Sequence, residues 1–307
     1  MKTLAITGAT GAQGGGLVRA ALADKTFAVR ALTRKTGSEK ARALQAAGAS
    51  VVAADLDDPA SLRAAFEGAH GVYAVTNFWE HFSPEKELVQ ARHIAEAAKA
   101  AGVKHVIWST LEDTRTRVPL SDGRMPTLMG KYKVPHFDAK GEADALFKEL
   151  PTTWLLTSFY WDNLIHFGMG PKPGPDGRLA FTLPMADKKL PGIAAADIGA
   201  CALGIFKQGL IGRRVGIAGE HLTGAQMAAA LGKALGREVV YNAVTPAAYR
   251  SFGFPGAEDL GNMFQFKAEF EREFCGVRDV AEARKLHPGL QTFAQWLQSN
   301  ASRIPLA

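Results

Sequence analysis

Three glycines near the start of the chain suggest the first chemistry in this sequence. Residues 3–7 are an apolar run, Gly8-Ala9-Thr10-Gly11-Ala12-Gln13-Gly14 follows directly, and apolar residues then recur at helical spacing from Leu17. A strand, a glycine-rich turn and a helix together bind the pyrophosphate of a dinucleotide, because glycines admit the phosphates and the helix start offers free N–H groups. We therefore predict that residues 8–13 hold a dinucleotide. A turn that only packs a helix on a strand is the alternative.

Two basic residues after the second predicted strand indicate which dinucleotide is bound. This strand covers residues 28–33 and is followed by Arg34 and Lys35. An NAD site would place an acidic residue there, about twenty residues after the glycines. An arginine can instead hold a 2′-phosphate with two parallel charge-assisted hydrogen bonds, and the lysine adds charge. The pattern favours NADP over NAD, and a solvated basic turn is the alternative.

Polar residues also follow the third and fourth predicted strands, at residues 50–54 and 71–75. Asp55 lies at the end of the third strand, where its carboxylate could accept a hydrogen bond from the adenine amine while Leu56 covers the ring. Thr76-Asn77-Phe78-Trp79 follows the fourth strand. In a parallel sheet the strand ends form the ligand crevice, so we expect this polar pair and its two aromatic neighbours to line the nicotinamide half.

Strand and helix patterns alternate through the first half of the chain. Further strands are predicted at residues 105–108 and 153–157, and helices at about 38–47, 84–101 and 137–150. This alternation predicts an α/β fold: a Rossmann-type doubly wound parallel sheet with helices on both faces, plus a smaller α+β C-terminal lobe. We assign residues 1–157 to an NADP-binding domain, with 190–215 returning to its sheet. Residues 158–189 and 216–307 then form the smaller lobe for a substrate or partner.

Two irregular segments interrupt this pattern. Residues 111–135 have no clear period and contain several prolines, glycines and basic residues, so we predict a flap over the active cleft. After Gly168, a turn-rich stretch marks the start of the smaller lobe; it contains Pro171, Pro173, Gly174, Pro175 and Gly177.

Composition excludes several classes of protein. The chain has 307 residues, of which 47% are hydrophobic and 21% charged, and this is typical of a soluble globular protein. It has no long apolar run for a membrane span, and its first residues leave no room for a signal peptide, so we expect a cytoplasmic protein. The net charge of +6 is spread along the chain and does not favour nucleic-acid binding. The spacing of His81, His93 and His166 does not predict a metal site.

Four motifs in order resemble the NmrA-like proteins, which are atypical short-chain dehydrogenase/reductases, and in particular the HSCARG-type NADPH sensors. The motifs are residues 8–15, Thr76-Asn77-Phe78-Trp79-Glu80, His136-Phe137-Asp138-Ala139-Lys140-Gly141-Glu142 and Phe254-Pro255-Gly256-Ala257. The resemblance covers nearly the whole chain and implies an NADP(H) site.

The resemblance also implies roles for individual residues. It implies that residues 8–13 cradle the pyrophosphate and that Arg34, Lys35 and Ser38 surround the 2′-phosphate. It also implies adenine contacts from Asp55 and Leu56, and contacts to the middle of the cofactor from Thr76, Asn77 and Phe78. Lys140 would reach the nicotinamide ribose, and the nicotinamide end would be closed by Tyr160, Trp161, Asp162 and Asn163.

The catalytic pair of working short-chain dehydrogenases is missing. Such enzymes place a tyrosine four residues before a lysine that lowers the phenol pKa. None of the five tyrosines here has that spacing, and His136 stands four residues before Lys140. His136 is either an acid or a surface histidine at a helix start. Lys140 is either a ligand of the ribose hydroxyls or a general acid/base, as in isoflavone-reductase-like enzymes.

Three functions follow from these residues. The missing tyrosine favours an NADP(H)-binding sensor of the NADPH/NADP ratio. The alternative is an NADPH-dependent reductase of a small carbonyl, quinone or enone, which the aromatic residues near 78 and 160 support. A DNA-associated regulator has no groove-reading motif behind it. The sequence leaves open a protein partner, a small aromatic substrate and a homodimer.

Overall fold

Seven parallel strands form the central sheet of the protein, described here from a computed structural model covering residues 1–174 and 177–306. The sheet order is β11-β6-β5-β4-β1-β2-β3, and every pairing in it is parallel. The predicted Rossmann-type sheet is thereby confirmed. Its strands are β1 Thr3–Ile6, β2 Ala28–Thr33, β3 Ser50–Ala53, β4 Gly71–Ala74, β5 His105–Thr110, β6 Thr152–Leu156 and β11 Arg214–Gly216.

Helices follow most strands and continue into the second half of the chain. Ser38, Asp58 and Ser83 cap α2, α3 and α4 by accepting hydrogen bonds from backbone N–H groups, as expected for these residue types. The described α-helices are α1 Ala12–Asp24, α2 Glu39–Ala46, α3 Pro59–Phe66, α4 Pro84–Ala100, α5 Pro135–Ala143, α6 Asn163–His166, α7 Ala195–Gln208, α8 Gly224–Leu235, α9 Pro246–Arg250, α10 Ala257–Glu269, α11 Glu271–Val277, α12 Val280–Leu286 and α13 Phe293–Asn300.

Both faces of the sheet are buried, which explains the continuous apolar runs in its strands. Leu4 and Ile6 pack in one core with residues of α1 and α7. Ala5, between them, packs in the opposite core with residues of α3 and α4. Successive side chains of a strand point to opposite faces, so one short run of residues contributes to both layers.

The returning segment of the chain completes the sheet with α7 and β11. Helix α7 packs closely on α1, where a Cβ on Gly199 would lie 2.0 Å from the backbone N of Leu17. Strand β11 pairs with β6 at the sheet edge. Of residues 190–215, which we predict to return to the main sheet, the last two do so within β11. Residues 190–193 do not, because β10 (Lys189–Ile193) pairs with β7 (Phe159–Tyr160) and β12 (Glu220–Thr223).

The C-terminal lobe consists of small sheets and helices around its own core. Besides the sheet of β7, β10 and β12, it contains β8 (Lys172–Pro173), β9 (Leu179–Leu183) and β13 (Val239–Ala243) in a second three-stranded sheet. Large buried side chains such as Phe181, Phe264 and Trp296 fill this core. Pro175, part of the predicted turn-rich stretch, lies outside the described residues. No helix within the described ranges is long and apolar enough to cross a membrane.

Residues 111–135 do not form the predicted flap. Val118, Met125 and Tyr132 are fully buried. Lys133 Nζ donates to the carbonyls of Asp122 and Met125, and Asn262 of α10 donates to the carbonyl of Lys133 at 2.6 Å. Only Leu111 of this segment lines the cleft described below. The segment is therefore fixed to the C-terminal lobe, where its apolar side chains are buried and its carbonyls accept hydrogen bonds. We call residues 111–135 the strap.

Candidate functional site

A cleft of about 1540 Å³ runs along the carboxyl edge of the sheet and continues into the C-terminal lobe. Its walls include the ends of β1 to β6 together with residues of α5, α9 and α10. The structure brings most of the predicted site residues into this one cleft. They are Gly8, Thr10, Gly11, Ala12, Gln13, Arg34, Lys35, Ser38, Asp55, Leu56, Thr76, Asn77, Phe78, His136, Lys140, Tyr160, Asp162 and Asn163.

The glycine turn after β1 has the shape of a phosphate cradle. Gly8 has a φ of +58°, which other residues rarely adopt. A Cβ on Gly14 would lie 2.4 Å from the carbonyl oxygen of Gly8, so only glycine lets α1 come this close. Gly11 caps α1 without a side-chain hydrogen bond, and no acidic residue lies in the first turn. The start of α1 is therefore suited to a phosphate, which the helix dipole and the free N–H groups would stabilise.

Arg34 lies at the carboxyl end of β2 and already has a carboxylate partner. Its Nη1 atom lies 2.5 Å from Oε1 of Glu80, and the two side chains are 56% and 45% exposed. Glu80 raises the pKa of the Arg34 guanidinium. Lys35 and Ser38 line the same part of the cleft. A phosphate arriving here would meet an arginine that is already paired with a carboxylate, and the two anions would compete for it.

Asp55 and Leu56 form the adjoining wall. Asp55 Oδ1 accepts a hydrogen bond from the backbone N–H of Asp57 at 3.0 Å, and its own N–H donates to Ser61 Oγ. The carbonyl of Leu56 lies 2.8 Å from His93 Nδ1. These bonds fix the backbone after β3, while the carboxylate and the leucine side chain border the cleft.

Lys140 lies deep in the cleft beside a buried carboxylate. Its Nζ atom lies 2.6 Å from Glu87 Oε1 and donates to Thr76 Oγ1 at 2.6 Å. Glu87 is fully buried on α4. Burial is the largest single influence and favours the neutral acid, but the Lys140 charge and the hydrogen bonds from His81, Lys140 and Thr76 together outweigh it and lower the pKa of Glu87 to about 2. Glu87 therefore stays ionised and holds the Lys140 ammonium in a fixed place.

His136 is buried, so the alternative of a surface histidine is wrong. Its Nδ1 atom lies 2.6 Å from Asp259 Oδ1, and its backbone N–H donates to Oδ2 of the same carboxylate. The imidazole packs against the indole of Trp79, with ring centroids 4.7 Å apart. Asp259 belongs to α10, so this pair joins α5 of the nucleotide-binding half to the C-terminal lobe.

A polar cluster lies at the inner end of the glycine turn. Gln13 Oε1 accepts a hydrogen bond from Ser109 Oγ at 2.8 Å and another from the Tyr73 hydroxyl. Gln13 Nε2 donates to the Tyr160 hydroxyl. Burial raises the pKa of both tyrosines. Gln13 thereby joins the ends of β4 and β5 to Tyr160 of β7.

Two predicted site residues do not line the cleft. Ala9 is 1% exposed, and its N–H donates to the carbonyl of Leu32 at 3.4 Å, so this amide is used by the sheet. Trp161 is also 1% exposed. Its indole packs against Phe293 at 5.3 Å and Trp296 at 6.4 Å, because α13 gives it an apolar pocket in the lobe core.

The lobe side of the cleft is mostly apolar. Phe159, Tyr249, Phe254 and Met263 are among its lining residues. One charged side chain, Lys267 of α10, borders the same region and is 3% exposed. In the part of the chain that the structure describes, no group of three or more His, Cys, Asp or Glu side chains could hold a metal ion.

The sequence profile of the NmrA-like family matches residues 1–297. The chain belongs to the NmrA-like family. This confirms the family that the four motifs predict.

Solved structures and curated relatives of NmrA-like type cover nearly the whole chain. NmrA, a negative transcriptional regulator solved in complex with NADP, is 28% identical, with a TM-score of 0.76 over 97% of this chain and 94% of that one. The same regulator has also been solved with NAD. An NAD(P)H azoreductase from Xenophilus azovorans is 31% identical over 98% of this chain and 99% of its own length. The oxidoreductase FrzB from a Cladobotryum species is 29% identical over 86% of this chain and 83% of its own.

Sequence reasoning missed several residues of this NmrA-like site. The sequence does contain a signal for Glu87 and Lys267, because each is a charged residue on the apolar face of its helix. Glu87 is seven residues before the buried Ile94, and Lys267 is three residues after the buried Phe264. Asp259 carries none, and Glu80 belongs to the motif at residues 76–80 without any spacing that would pair it with Arg34. Their partners, Arg34 and His136, are distant in sequence and meet them only in the fold.

Proposed function

We propose that the chain binds NADP(H) along this cleft, with the adenosine near Arg34 and the nicotinamide near Tyr160. The cradle formed by Gly8, Gly11 and Gly14 supports this most directly, because it leaves room for phosphates at an uncapped helix start. Arg34, Lys35 and Ser38 hold the 2′-phosphate, and Asp55 and Leu56 border the adenine. The remaining contacts come from Thr76, Asn77, Phe78, Lys140, Tyr160, Asp162 and Asn163.

The function that the geometry supports best is an NADPH-dependent reductase of a flat, conjugated acceptor. A small-molecule pocket usually measures ~300–1,000 Å³, and this cleft of about 1540 Å³ has space for a second ligand beside the coenzyme. The additional space has aromatic walls from Phe159, Tyr249 and Phe254. This apolar chamber is the observation that carries the proposal. The oxidoreductase and azoreductase names of two relatives agree with it.

Each part of the site has a task in such a reaction. NADPH, when bound, supplies a hydride to the acceptor. Lys140 is held by Glu87 and Thr76, and it orients the nicotinamide ribose by donating to its hydroxyls. The apolar walls exclude water and lower the local dielectric, which strengthens the polar contacts to the reacting atoms.

Stopped-flow spectroscopy tests the reductase directly. The purified protein is loaded with NADPH and mixed with a panel of quinones, enones and azo dyes, while absorbance is followed at 340 nm. Loss of absorbance with at least one acceptor, at a rate proportional to protein, is the expected result. Tight NADPH binding without turnover across the panel would refute the reductase.

A redox sensor is the second candidate, and the Arg34–Glu80 ion pair favours it. Glu80 lies beside Trp79, which packs on His136, and His136 is paired with Asp259 of the C-terminal lobe. A 2′-phosphate that displaces Glu80 would therefore act on a chain of contacts that reaches α10. Hydrogen exchange of residues 78–82 and 252–260 should then differ between NADPH-bound and NADH-bound protein. Identical exchange with both coenzymes would exclude this role.

A further inference from the structure

Lys267 is a buried cation in the apolar chamber, and none of the described residues forms an ion pair with it. It is 3% exposed and borders the cleft from α10. Its Nζ atom lies 5.4 Å from the ring centroid of Phe137, 5.6 Å from that of Phe264 and 5.4 Å from that of Phe274. Among the residues that the structure describes, Nζ has neither a hydrogen-bond acceptor nor a carboxylate within 4 Å. Buried lysines without a carboxylate partner are rare in folded proteins and are usually retained for a chemical role.

The nearest opposite charge belongs to another residue. Glu112 receives two hydrogen bonds from the fully buried Arg278, at 2.6 Å and 3.0 Å. Arg278 also lies over the ring of Phe274, with its Cζ atom 3.6 Å from the centroid, so both cations are close to this ring. Both carboxylate oxygens of Glu112 are therefore already hydrogen-bonded to Arg278.

The charged groups that act on Lys267, within the described part of the chain, are Arg278 and Glu112. Burial, with a smaller effect of the Arg278 charge, lowers the pKa of Lys267 to about 7, against the opposing effect of Glu112. A group with a pKa near the working pH is the most effective acid, because it is protonated often and gives up its proton readily.

Lys140 and Lys267, the two buried lysines among those that line the cleft, have different surroundings and are therefore suited to different tasks. Lys140 is fixed in place by Glu87 and Thr76, and the Glu87 carboxylate neutralises its charge. Lys267 has none of these contacts and lies on the lobe side, where the acceptor is placed. Lys267 can therefore give a proton to a ligand, whereas Lys140 is suited to hold one.

We propose that Lys267 is the proton donor of the reductase, acting on the oxygen or nitrogen atom of a conjugated carbonyl, quinone or azo acceptor. This rests on the proposed reductase function. The acceptor gains two electrons and one proton as hydride from NADPH, which leaves as NADP⁺. Its heteroatom takes a second proton from Lys267 Nζ, and the resulting neutral amine is reprotonated by water.

A covalent trap tests the lysine without using turnover. An aromatic aldehyde condenses with a neutral amine to an imine and water, and cyanoborohydride reduces that imine to a stable secondary amine. At pH 7, peptide mass spectrometry should find the adduct on Lys267 ahead of the exposed lysines, which are protonated at this pH. Labelling of Lys267 at or below the level of Lys99 would overturn the proposal.

Substitution then tests the proton transfer. Lys267→Met keeps the length and apolar character of the side chain, and Lys99→Met on the surface is the matched control. Lys267→Met should lower kcat about 10²- to 10⁴-fold, the usual contribution of a general acid, and leave the Kd for NADPH within about twofold, since Lys267 is placed at the acceptor and not at the coenzyme. In the wild type, kcat should fall as pH rises through the pKa of Lys267, and this fall should be absent in Lys267→Met.

The outcomes separate the two proposals. An active wild type whose kcat and pH profile are unchanged in Lys267→Met would overturn the role of Lys267 and leave the reductase standing. A wild type that binds NADPH but reduces no acceptor would overturn the reductase, and the proton donor with it.

Discussion

Removal of the Arg34 side chain should change the coenzyme preference of the protein. Arg34→Ala removes the guanidinium proposed to hold the 2′-phosphate and leaves the glycine turn intact. NADH lacks this phosphate, so its affinity should stay within about twofold. The same protein therefore provides an internal control for damage to the rest of the cleft.

The size of the effect follows from the exposure of Arg34 and from its existing partner. A hydrogen bond to a charged group contributes about 1.5–3 kcal/mol. The Arg34–Glu80 pair, which the phosphate must displace, is exposed and contributes about 0.2–1 kcal/mol. The difference is roughly 1–2 kcal/mol, which corresponds to a loss of about 5- to 30-fold in NADPH affinity.

Glu80 provides a second variant with the opposite sign. Glu80→Gln removes the competing carboxylate, so NADPH should bind about 1.5- to 5-fold more tightly, with no change for NADH. In the double variant with Arg34→Ala this gain should disappear, because both substitutions act on the same contact. Calorimetry with both coenzymes at 0.1 M salt measures all four proteins. Equal losses of NADPH and NADH affinity in Arg34→Ala would refute the 2′-phosphate contact.

Three further predictions concern the glycine turn and the two buried lysines. Gly14→Ala should weaken NADPH binding at least about tenfold, measured by calorimetry, because its Cβ would lie 2.4 Å from the backbone of Gly8. Glu87→Gln should lower the free energy of unfolding by about 3 kcal/mol in urea titrations, because it leaves Lys140 buried without its carboxylate. Lys267→Met should raise that free energy at pH 7 by an amount on the order of 4 kcal/mol, because it removes a buried charge whose pKa falls from 10.5 to about 7. The wild type should also gain stability between pH 7 and 10, where the unfolded chain keeps a proton that the folded lysine has lost, and this gain should vanish in Lys267→Met.

Matched substitutions control each of these tests. Gly276→Ala lies in an exposed part of α11 with open space around it and should leave NADPH binding unchanged. Glu149→Gln removes one carboxylate of an exposed pair with Lys99, and its unfolding should match the wild type. A stability difference between Lys267→Met and wild type that is constant from pH 7 to 10 would contradict the buried charge.

The sheet and the coenzyme side of the cleft were predictable because their signals are local. Each of these strands is a short apolar run, and a parallel sheet places the residues after its strands on one edge. Arg34, Asp55 and Thr76 therefore meet in the cleft although they are distant in sequence. The family resemblance added Lys140 and Tyr160, which no strand-end argument would have placed there.

The remaining part of the site depends on contacts that no local pattern encodes. Trp161 follows Tyr160 directly, yet it is buried against Phe293 and Trp296 of the last helix. His136 has the spacing of a surface residue at a helix start, but Asp259, 123 residues later, buries it. The strap at residues 111–135 shows no helix or strand period, because it is held by irregular contacts such as those of Lys133 with Asp122 and Met125 and by hydrogen bonds from α10.

The contribution of α7 and β11 to the large sheet has a consequence for how the chain can be divided. A fragment ending at residue 157 would leave β6 as an unpaired edge and would expose the apolar surface of α1 that α7 covers. The coenzyme half is thus incomplete until the chain has passed through the lobe and come back. We therefore expect the two halves to unfold in a single transition, and exchange of lobes between relatives would have to carry α7 and β11 along with the first 157 residues.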